Sequence, residues 1–181
     1  WQASYSFVQA TFESDACIVA ESNSTAGASA ACAPEQIHIR PGDRFAGVPR
    51  HQAKLNLAMS LSEKWNAGAT MTAYSDQYVR GNENNAHQPD GAVFSGSGKL
   101  AGHGLLDLHT TYDVGGAWQL FAKVTNVFDK GYSSAGRLGR SSFDASGAFE
   151  PDRSDWRNEQ FVGPGAPRAA WIGVRYRTRA R

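Results

Sequence analysis

Histidine, cysteine, arginine and the carboxylates are the residues able to do chemistry in this chain, and their spacing limits what that chemistry is. His38, His51, His87, His103 and His109 include no pair at the i, i+4 spacing of a helical metal site, and no paired carboxylate stands beside them at ligand spacing. No metal and no cofactor is expected. Gly96-Ser97-Gly98-Lys99 resembles the end of a phosphate loop, but its leading glycine is misplaced and Leu100 stands where a hydroxyl would meet magnesium. Serine, histidine and aspartate are plentiful without a G-x-S-x-G elbow to expose a nucleophile, so the chain is not expected to be an enzyme. Asn23-Ser24-Thr25 matches the glycosylation acceptor pattern. Arg137, Arg140, Arg153 and Arg157 are more suggestive, because four guanidinium groups in one polar stretch would attract an anionic chelate. Asp144, Glu150, Asp152 and Asp155 are interspersed among them, and self-pairing is the competing reading.

The elements that position these groups are strands. Trp118, Leu120, Ala122 and Val124 alternate with Gln119, Phe121, Lys123 and Thr125, a period of two. Leu106, Leu108, Thr110 and Tyr112 alternate with Leu105, Asp107, His109 and Thr111 just before them. Only Asp113 to Ala117, with Gly115 and Gly116, separates the two runs, which predicts a hairpin. Placing Tyr112 opposite Trp118 sets Leu108 against Ala122 and Leu106 against Val124 on an apolar face. The same register sets Asp107 against Lys123 on the polar face. A slip of one residue would turn both charges into the apolar side.

Asn126-Val127-Phe128-Asp129-Lys130-Gly131-Tyr132, which closes the second of these strands, resembles the N-x-F-D-x-x-Y signature near the C-terminus of TonB-dependent outer-membrane receptors. Pro41-Gly42-Asp43-Arg44, Gly47-Val48-Pro49-Arg50-His51-Gln52, Asp76-Gln77-Tyr78-Val79-Arg80-Gly81-Asn82-Glu83, Asp107 and Pro164-Gly165-Ala166-Pro167-Arg168 follow the family's order and spacing. The resemblance covers about Ser4 to Tyr176. It implies that residues 1–181 are the C-terminal part of the receptor's β-barrel, without its N-terminal plug, in the outer membrane of a Gram-negative bacterium. It also implies active uptake of a scarce nutrient, most often a ferric siderophore, driven by the TonB complex through the absent plug. Outer-membrane lipid and the barrel assembly machinery are the other partners it implies. One departure stands out: Thr178 occupies the position of the usual terminal aromatic, followed by Arg179-Ala180-Arg181, while Tyr176 is kept. On an oxidising cell surface Cys17 and Cys32 are expected to form a loop disulfide, whereas in a cytosolic protein they would be unrelated thiols.

Composition fits a membrane wall better than a polyanion binder. At 181 residues and a formal charge of +1, the chain is long enough for one domain, and nucleic acid is not suggested as a partner. No run of about 18 apolar residues occurs, so a spanning helix is not predicted, but a barrel strand needs only about 9 to 11 alternating residues. The chain begins at Trp1 without a signal peptide and reads as a fragment of something longer.

The remaining strands repeat the alternation. Trp1 to Phe12 places Trp1, Ala3, Tyr5 and Phe7 on one side. Ala53, Leu55, Leu57, Met59 and Leu61 form a second apolar row, and Trp65, Ala67, Ala69, Met71 and Ala73 a third across the turn Ser62-Glu63-Lys64. That turn pairs Leu61 with Trp65, Leu57 with Ala69 and Asn56 with Thr70. Ala170, Ile172, Val174 and Tyr176 form the last row, with Trp171, Gly173, Arg175 and Arg177 facing away. Long connections, Glu13 to Pro49, Gly81 to Gly104 and Lys130 to Pro167, alternate with short ones, as in an outer-membrane barrel. The expected fold is therefore all-β: six antiparallel strands of a transmembrane β-barrel, with short periplasmic turns and long extracellular loops. Trp1, Trp65, Trp118, Tyr112 and Tyr176 would form an aromatic girdle at the short-turn end. Lys54, Asn56, Asp107, His109, Lys123, Arg175 and Arg177 would face the lumen, either along a ligand path or solvating the lumen and bonding a plug. The alternatives are a passive porin-like channel and a soluble β-rich module such as a sandwich, whose turn signals should recur about every 8 to 12 residues.

Overall fold

The computed structural model describes residues 1–177, so the expectation attached to Thr178 lies outside the described residues. The strands are β1 (Gln2–Phe7), β2 (Ala16–Val19), β3 (Gln36–Ile39), β4 (His51–Ser60), β5 (Trp65–Tyr74), β6 (Gln77–Tyr78), β7 (Lys99–Leu100), β8 (His103–Gly115), β9 (Trp118–Thr125), β10 (Ser133–Ser141), β11 (Arg157–Pro164) and β12 (Ala169–Tyr176). Six of them form one sheet in the order β1-β4-β5-β8-β9-β12, each antiparallel to its neighbours. These are the six strands expected from the alternation. The sheet does not close, and β1 and β12 are its two edges.

Alternation within each strand becomes continuous rows across the sheet. Leu57, Ala69, Leu108, Val124 and Ala170 follow one another across five strands, and Trp65, Tyr112, Leu120 and Val174 make a parallel row nearer the short turns. On the other face run Asn56, Thr70 and Asp107, and Gly68, His109, Lys123 and Trp171. The apolar rows are not buried by protein: Met59 is 57% exposed, Trp65 47% and Ile172 86%. The buried apolar side chains, Ile37, Ile39, Val79, Leu100 and Leu138, all lie outside the six-stranded sheet. Among the described residues this sheet has one apolar face with no protein against it, the sidedness of a barrel wall.

The β4–β5 hairpin has the expected register, with Leu57 opposite Ala69 and Asn56 opposite Thr70; Leu61 N–H donates to the Trp65 carbonyl at 2.7 Å. The β8–β9 hairpin does not. Tyr112 lies opposite Leu120 rather than Trp118, Leu108 opposite Val124 rather than Ala122, and Lys123 opposite His109 rather than Asp107. The cause is the turn. β8 continues to Gly115, a bulge intervenes after Asp113, and Gly115 faces Trp118 across a loop of only Gly116 and Ala117. Gly115 and Gly116 have φ of 125° and 65°, conformations that cost a glycine little. Because the displacement is two residues, every side chain keeps its expected face.

Two further expectations are corrected. The first strand ends at Phe7, not Phe12, because Val8 to Phe12 leave the sheet and pair with the segment before β4, through Val8 N–H to Arg50 O and Phe12 N–H to Asp43 O, both 2.9 Å. Trp1 does not stand in the row of Trp65. Since Gln2 faces Asn56, Trp1 is beside the Leu57 row, while Trp118 and Tyr176 pack at 4.8 Å and Trp65 Nε1 donates to Thr110 Oγ1 at 2.7 Å.

Asn126 ties the ends of β8 and β9 to the segment that leads into β12. It is 4% exposed with φ of 48°, a left-handed conformation that asparagine tolerates better than most residues. Its side chain donates to the carbonyls of Lys130 (3.0 Å) and Ala166 (3.1 Å) and accepts from Lys130 N–H at 2.9 Å, while its own N–H donates to Asp107 Oδ1 at 2.9 Å. Asp129, also left-handed at φ 50°, accepts from Arg168 N–H at 2.9 Å. Tyr132 stacks on His103 with ring centroids 4.5 Å apart, and Gly165 lies so close beneath the ring that a Cβ there would overlap it. The motif is thus a structural clasp. Asn126→Ala leaves buried main-chain groups unpaired and adds left-handed strain, so it should destabilise the folded protein by about 3 kcal/mol, measured by urea titration of tryptophan fluorescence in detergent micelles.

Candidate ligand cleft among the long loops

The three long connections are folded, not open. The first contains the β2–β3 hairpin, with Cys17 opposite His38 and Cys17 bridged to Cys32 across a Cα separation of 5.7 Å. The second contains β7, which pairs with β6, and the third is the β10–β11 hairpin. Val79, Leu100 and Leu138 pack into one small core shared by the second and third connections, and a Cβ on Gly136 would press on Val79 and Leu100 at 2.6 and 3.1 Å. In sequence these stretches read as long loops, because their Gly, Ser and Asn content hides periodicities only two to nine residues long.

Between the first and second connections the packing is polar. Asn23, 1% exposed, donates to Gly81 O at 2.7 Å and accepts from Thr25 N–H at 2.9 Å. That burial excludes it as a glycan acceptor in the folded chain. Asn84 Nδ2 donates to Thr25 Oγ1 at 2.8 Å, Gln88 N–H to Ser24 Oγ at 2.8 Å, and Ser24 N–H to His87 Nδ1 at 3.1 Å. Arg44 pairs with Asp76 at 3.5 Å, and Arg44 and Lys99 lie 5.2 and 4.6 Å from the Tyr78 ring centroid, within cation–π range.

A cleft of about 380 Å³ opens where the three connections meet, lined by Val19 to Asn23, Glu21 included, from the first, Arg80 and Gly81 at the start of the second, and Arg137 to Arg140 from the third. Arg80 and Arg137 are partners in a parallel β-bridge, held by Arg80 N–H to Gly136 O at 3.1 Å and Leu138 N–H to Arg80 O at 2.8 Å. Bridge partners project to the same side, so two exposed guanidinium-bearing side chains from different loops share this cleft. Arg140 is braced at the wall: its Nη2 donates to Arg153 O at 2.6 Å, and its guanidinium carbon lies 5.8 Å from the Trp156 ring centroid. Arg153 contacts the same ring at 5.7 Å. Of the four arginines singled out in sequence, the structure brings Arg137 and Arg140 to the cleft and leaves Arg153 and Arg157 off its lining. Arg80 was missed, because nothing in the sequence shows a parallel bridge between residues 57 positions apart.

Self-pairing of the loop arginines with their acidic neighbours does not occur among the described residues, where the ion pairs are His38–Asp15 and Arg44–Asp76. Asp144 instead accepts from Ser146 Oγ (2.7 Å) and from the N–H groups of Ser146 (2.8 Å) and Ala148 (2.9 Å). Asp152 accepts from Ser154 N–H (2.9 Å) and Oγ (2.7 Å). These hydrogen bonds hold both carboxyls below the usual aspartate range, the Ser146 hydroxyl leading for Asp144 and the Ser154 amide for Asp152. Asp144 and Asp152 are thus occupied as turn caps; Glu21 lines the cleft beside Arg80, Arg137 and Arg140 but makes no ion pair with them among the described residues, so cationic groups outnumber the acidic one.

On the polar face of the sheet, Asp107 accepts from Asn126 N–H at 2.9 Å and the Lys123 ammonium lies 5.9 Å from the Trp171 ring centroid. The two charges are therefore separate features rather than a pair. Nearer the short turns, Gln119 is 6% exposed; it donates to Asp113 at 2.8 Å and accepts from Arg175 (3.3 Å) and Arg177 (3.2 Å).

The disulfide closes a separation of 15 residues, a constraint that contributes about 3 kcal/mol against the open chain. Reduction should therefore raise thermolysin cleavage within residues 16–39 by up to about a hundredfold while leaving the six-stranded sheet intact, read by mass spectrometry of the fragments.

The family model for the TonB dependent receptor-like β-barrel matches residues 1–127, and no curated protein matches the chain in sequence. The siderophore receptor PiuA from Acinetobacter baumannii is similar in structure at a TM-score of 0.53 and 15% identity, over 75% of this chain and 15% of that one. FpvA of P. aeruginosa, solved bound to heterologous pyoverdines, is similar at a TM-score of 0.50 and 18% identity, over 78% of this chain and 16% of its own. The chain thus spans about a sixth of the length of these solved receptors, and at such identity the likeness concerns fold alone. With the family model covering more than half of the chain, and with an open antiparallel sheet carrying one apolar face, this chain belongs to the TonB-dependent receptor β-barrel family.

Proposed function

We propose that residues 1–181 form the C-terminal wall and surface loops of an outer-membrane active-transport receptor that captures a negatively charged ferric siderophore. The observation that carries the ligand reading is the convergence of Arg80, Arg137 and Arg140 from two loops on one cleft, without a carboxylate partner for any of them among the described residues. Unpaired guanidinium groups held on a braced backbone favour an anionic chelate over a neutral one. Arg153 acts through Trp156, holding Arg140 in place, and Arg157 serves the β10–β11 ladder opposite Ser141.

The wall itself has a second role. Asp107, Lys123, His109 and Lys54 face a polar lumen, in which a plug domain outside this chain would lie; the TonB complex acts on that plug to release the ligand inward. Outer-membrane lipid covers the apolar rows, and the barrel assembly machinery inserts the strands. A passive porin-like channel would not need a braced cationic cleft above the lumen.

Two measurements test this reading. In the full-length receptor carrying this chain, Arg80→Ala and Arg137→Ala should each weaken binding of negatively charged ferric chelates about tenfold, and the wild-type affinity should fall as ionic strength rises. Affinity insensitive to both substitutions would overturn the cleft assignment. Expressed alone without detergent, residues 1–181 should aggregate, since two strand edges and an apolar face lack partners. A monodisperse, cooperatively unfolding monomer on size-exclusion chromatography would instead favour a soluble module.

A further inference from the structure

His87 occupies an unusual place for a surface-loop histidine. It is 3% exposed, its Nδ1 accepts the Ser24 N–H at 3.1 Å, and its Nε2 is buried with no hydrogen bond of acceptable geometry. Its own N–H donates to Asn82 Oδ1 at 3.0 Å, and Asn82, 1% exposed, donates in turn to Gly98 O at 3.0 Å. The ring is therefore enclosed by two loops and can accept Ser24 N–H only while Nδ1 carries no proton.

We propose that His87 is a pH-sensitive latch between the first and second surface loops, closed while the imidazole is neutral and released when it is protonated. Protonation places a hydrogen on Nδ1 against the Ser24 N–H, donor facing donor, and puts a charge in a desolvated site where the Gly96 carbonyl and Asp90 offset the burial only in part. Most of the groups that face the ring are uncharged. The segment 22–25 presents the Ser24 main chain, Asn82 presents a carboxamide, Phe94 an edge-on ring at 6.0 Å, and Gly98 packs so close that a Cβ there would lie 3.1 Å from His87; none of these titrates. Asp90 is the charged group whose field reaches the imidazole, and it favours protonation, as does the Gly96 carbonyl. Burial outweighs both and lowers the His87 pKa from 6.5. Glu83 is directed elsewhere, onto Gly81 N–H at 3.0 Å.

The sign follows from linkage. A histidine whose folded pKa is depressed contributes its stability fully above the unfolded value of 6.5, and loses it as pH falls from there through the folded pKa. What opens is local. Ser22 and Asn23 on one side, and Arg80 and Gly81 on the other, line the cleft described above, and the Ser24–His87 and Gln88–Ser24 hydrogen bonds are the clasp immediately behind them. The consequence for ligand capture rests on the proposed function, but the latch does not.

Hydrogen exchange of the full-length receptor in micelles, followed by mass spectrometry from pH 7.5 to 5, tests it directly. After correction for intrinsic rates, peptides spanning residues 22–26 and 86–89 should lose protection by up to about tenfold per pH unit below 6.5, while peptides around Asn126 stay unchanged. Exchange at the His87 C2 carbon should report titration below 6.5 in step with that loss. In His87→Gln, which cannot protonate, the acid-dependent loss should vanish; if this variant disturbs the loops, the wild-type C2 titration and amide protection remain decisive. Protection unchanged to pH 5, or His87 titrating without any change at Ser24, overturns the latch and leaves the arginine cleft unaffected. Loss of chelate affinity in the arginine variants, tested separately, bears on the cleft alone.

Discussion

Everything in the wall follows from one constraint: a strand in a membrane has two different solvents on its two sides and must pair every main-chain group with a neighbour. Period-two alternation answers the first demand and the antiparallel ladder the second. Rows such as Leu57, Ala69, Leu108, Val124 and Ala170 are the joint result, since each pairing carries the sidedness of one strand to the next. The same constraint explains why the sheet has no core of its own. Its apolar residues line one face, which no protein covers among the described residues, and its other face carries Asp107, His109 and Lys123, which no apolar layer could cover without stranding charge.

Sidedness was readable from sequence where turn geometry was not. The residues facing each way on β4, β5, β8, β9 and β12 are those the alternation predicts, because a wrong face is costly for every residue at once. The register of β8 on β9 was misjudged by two, because a bulge after Asp113 and a loop of Gly116 and Ala117 lengthen the ladder without disturbing either face. A displacement of two costs only the difference between one set of neighbours and another. The long loops were hidden for a different reason. Strands of two to nine residues, stitched by side-chain amides and hydroxyls, carry little hydrophobic periodicity, and the shared core of Val79, Leu100 and Leu138 comes from residues spread over 60 positions of sequence.

Those loops are held largely by polar contacts. Asn23, Asn82 and His87 are buried almost as completely as Ile37 and Ile39, and each has partners on another segment. Such a network has no tolerance for a missing partner, which makes it directional in a way that apolar packing is not. It fixes how the first loop sits on the second, and so fixes the distance between the main chain at Ser22–Asn23 and that at Arg80–Gly81 across the cleft.

The family signature and the candidate site therefore divide the labour. Asn126, Asp129 and Tyr132 spend their hydrogen-bonding and stacking capacity on Lys130, Ala166, Arg168, His103 and Gly165, leaving little with which to bind a ligand. What the clasp does is bring the start and end of the third loop together, with Gly165 N–H bonded to Tyr132 O at 2.8 Å, at the rim of the wall. β10 and β11 rise from that closed base as a hairpin, and it is this hairpin that lays Gly136 to Leu138 alongside Arg80. Recognition of the family from N-x-F-D-x-x-Y thus identifies the foundation of the cleft, while Arg137 and Arg140 stand one hairpin above it.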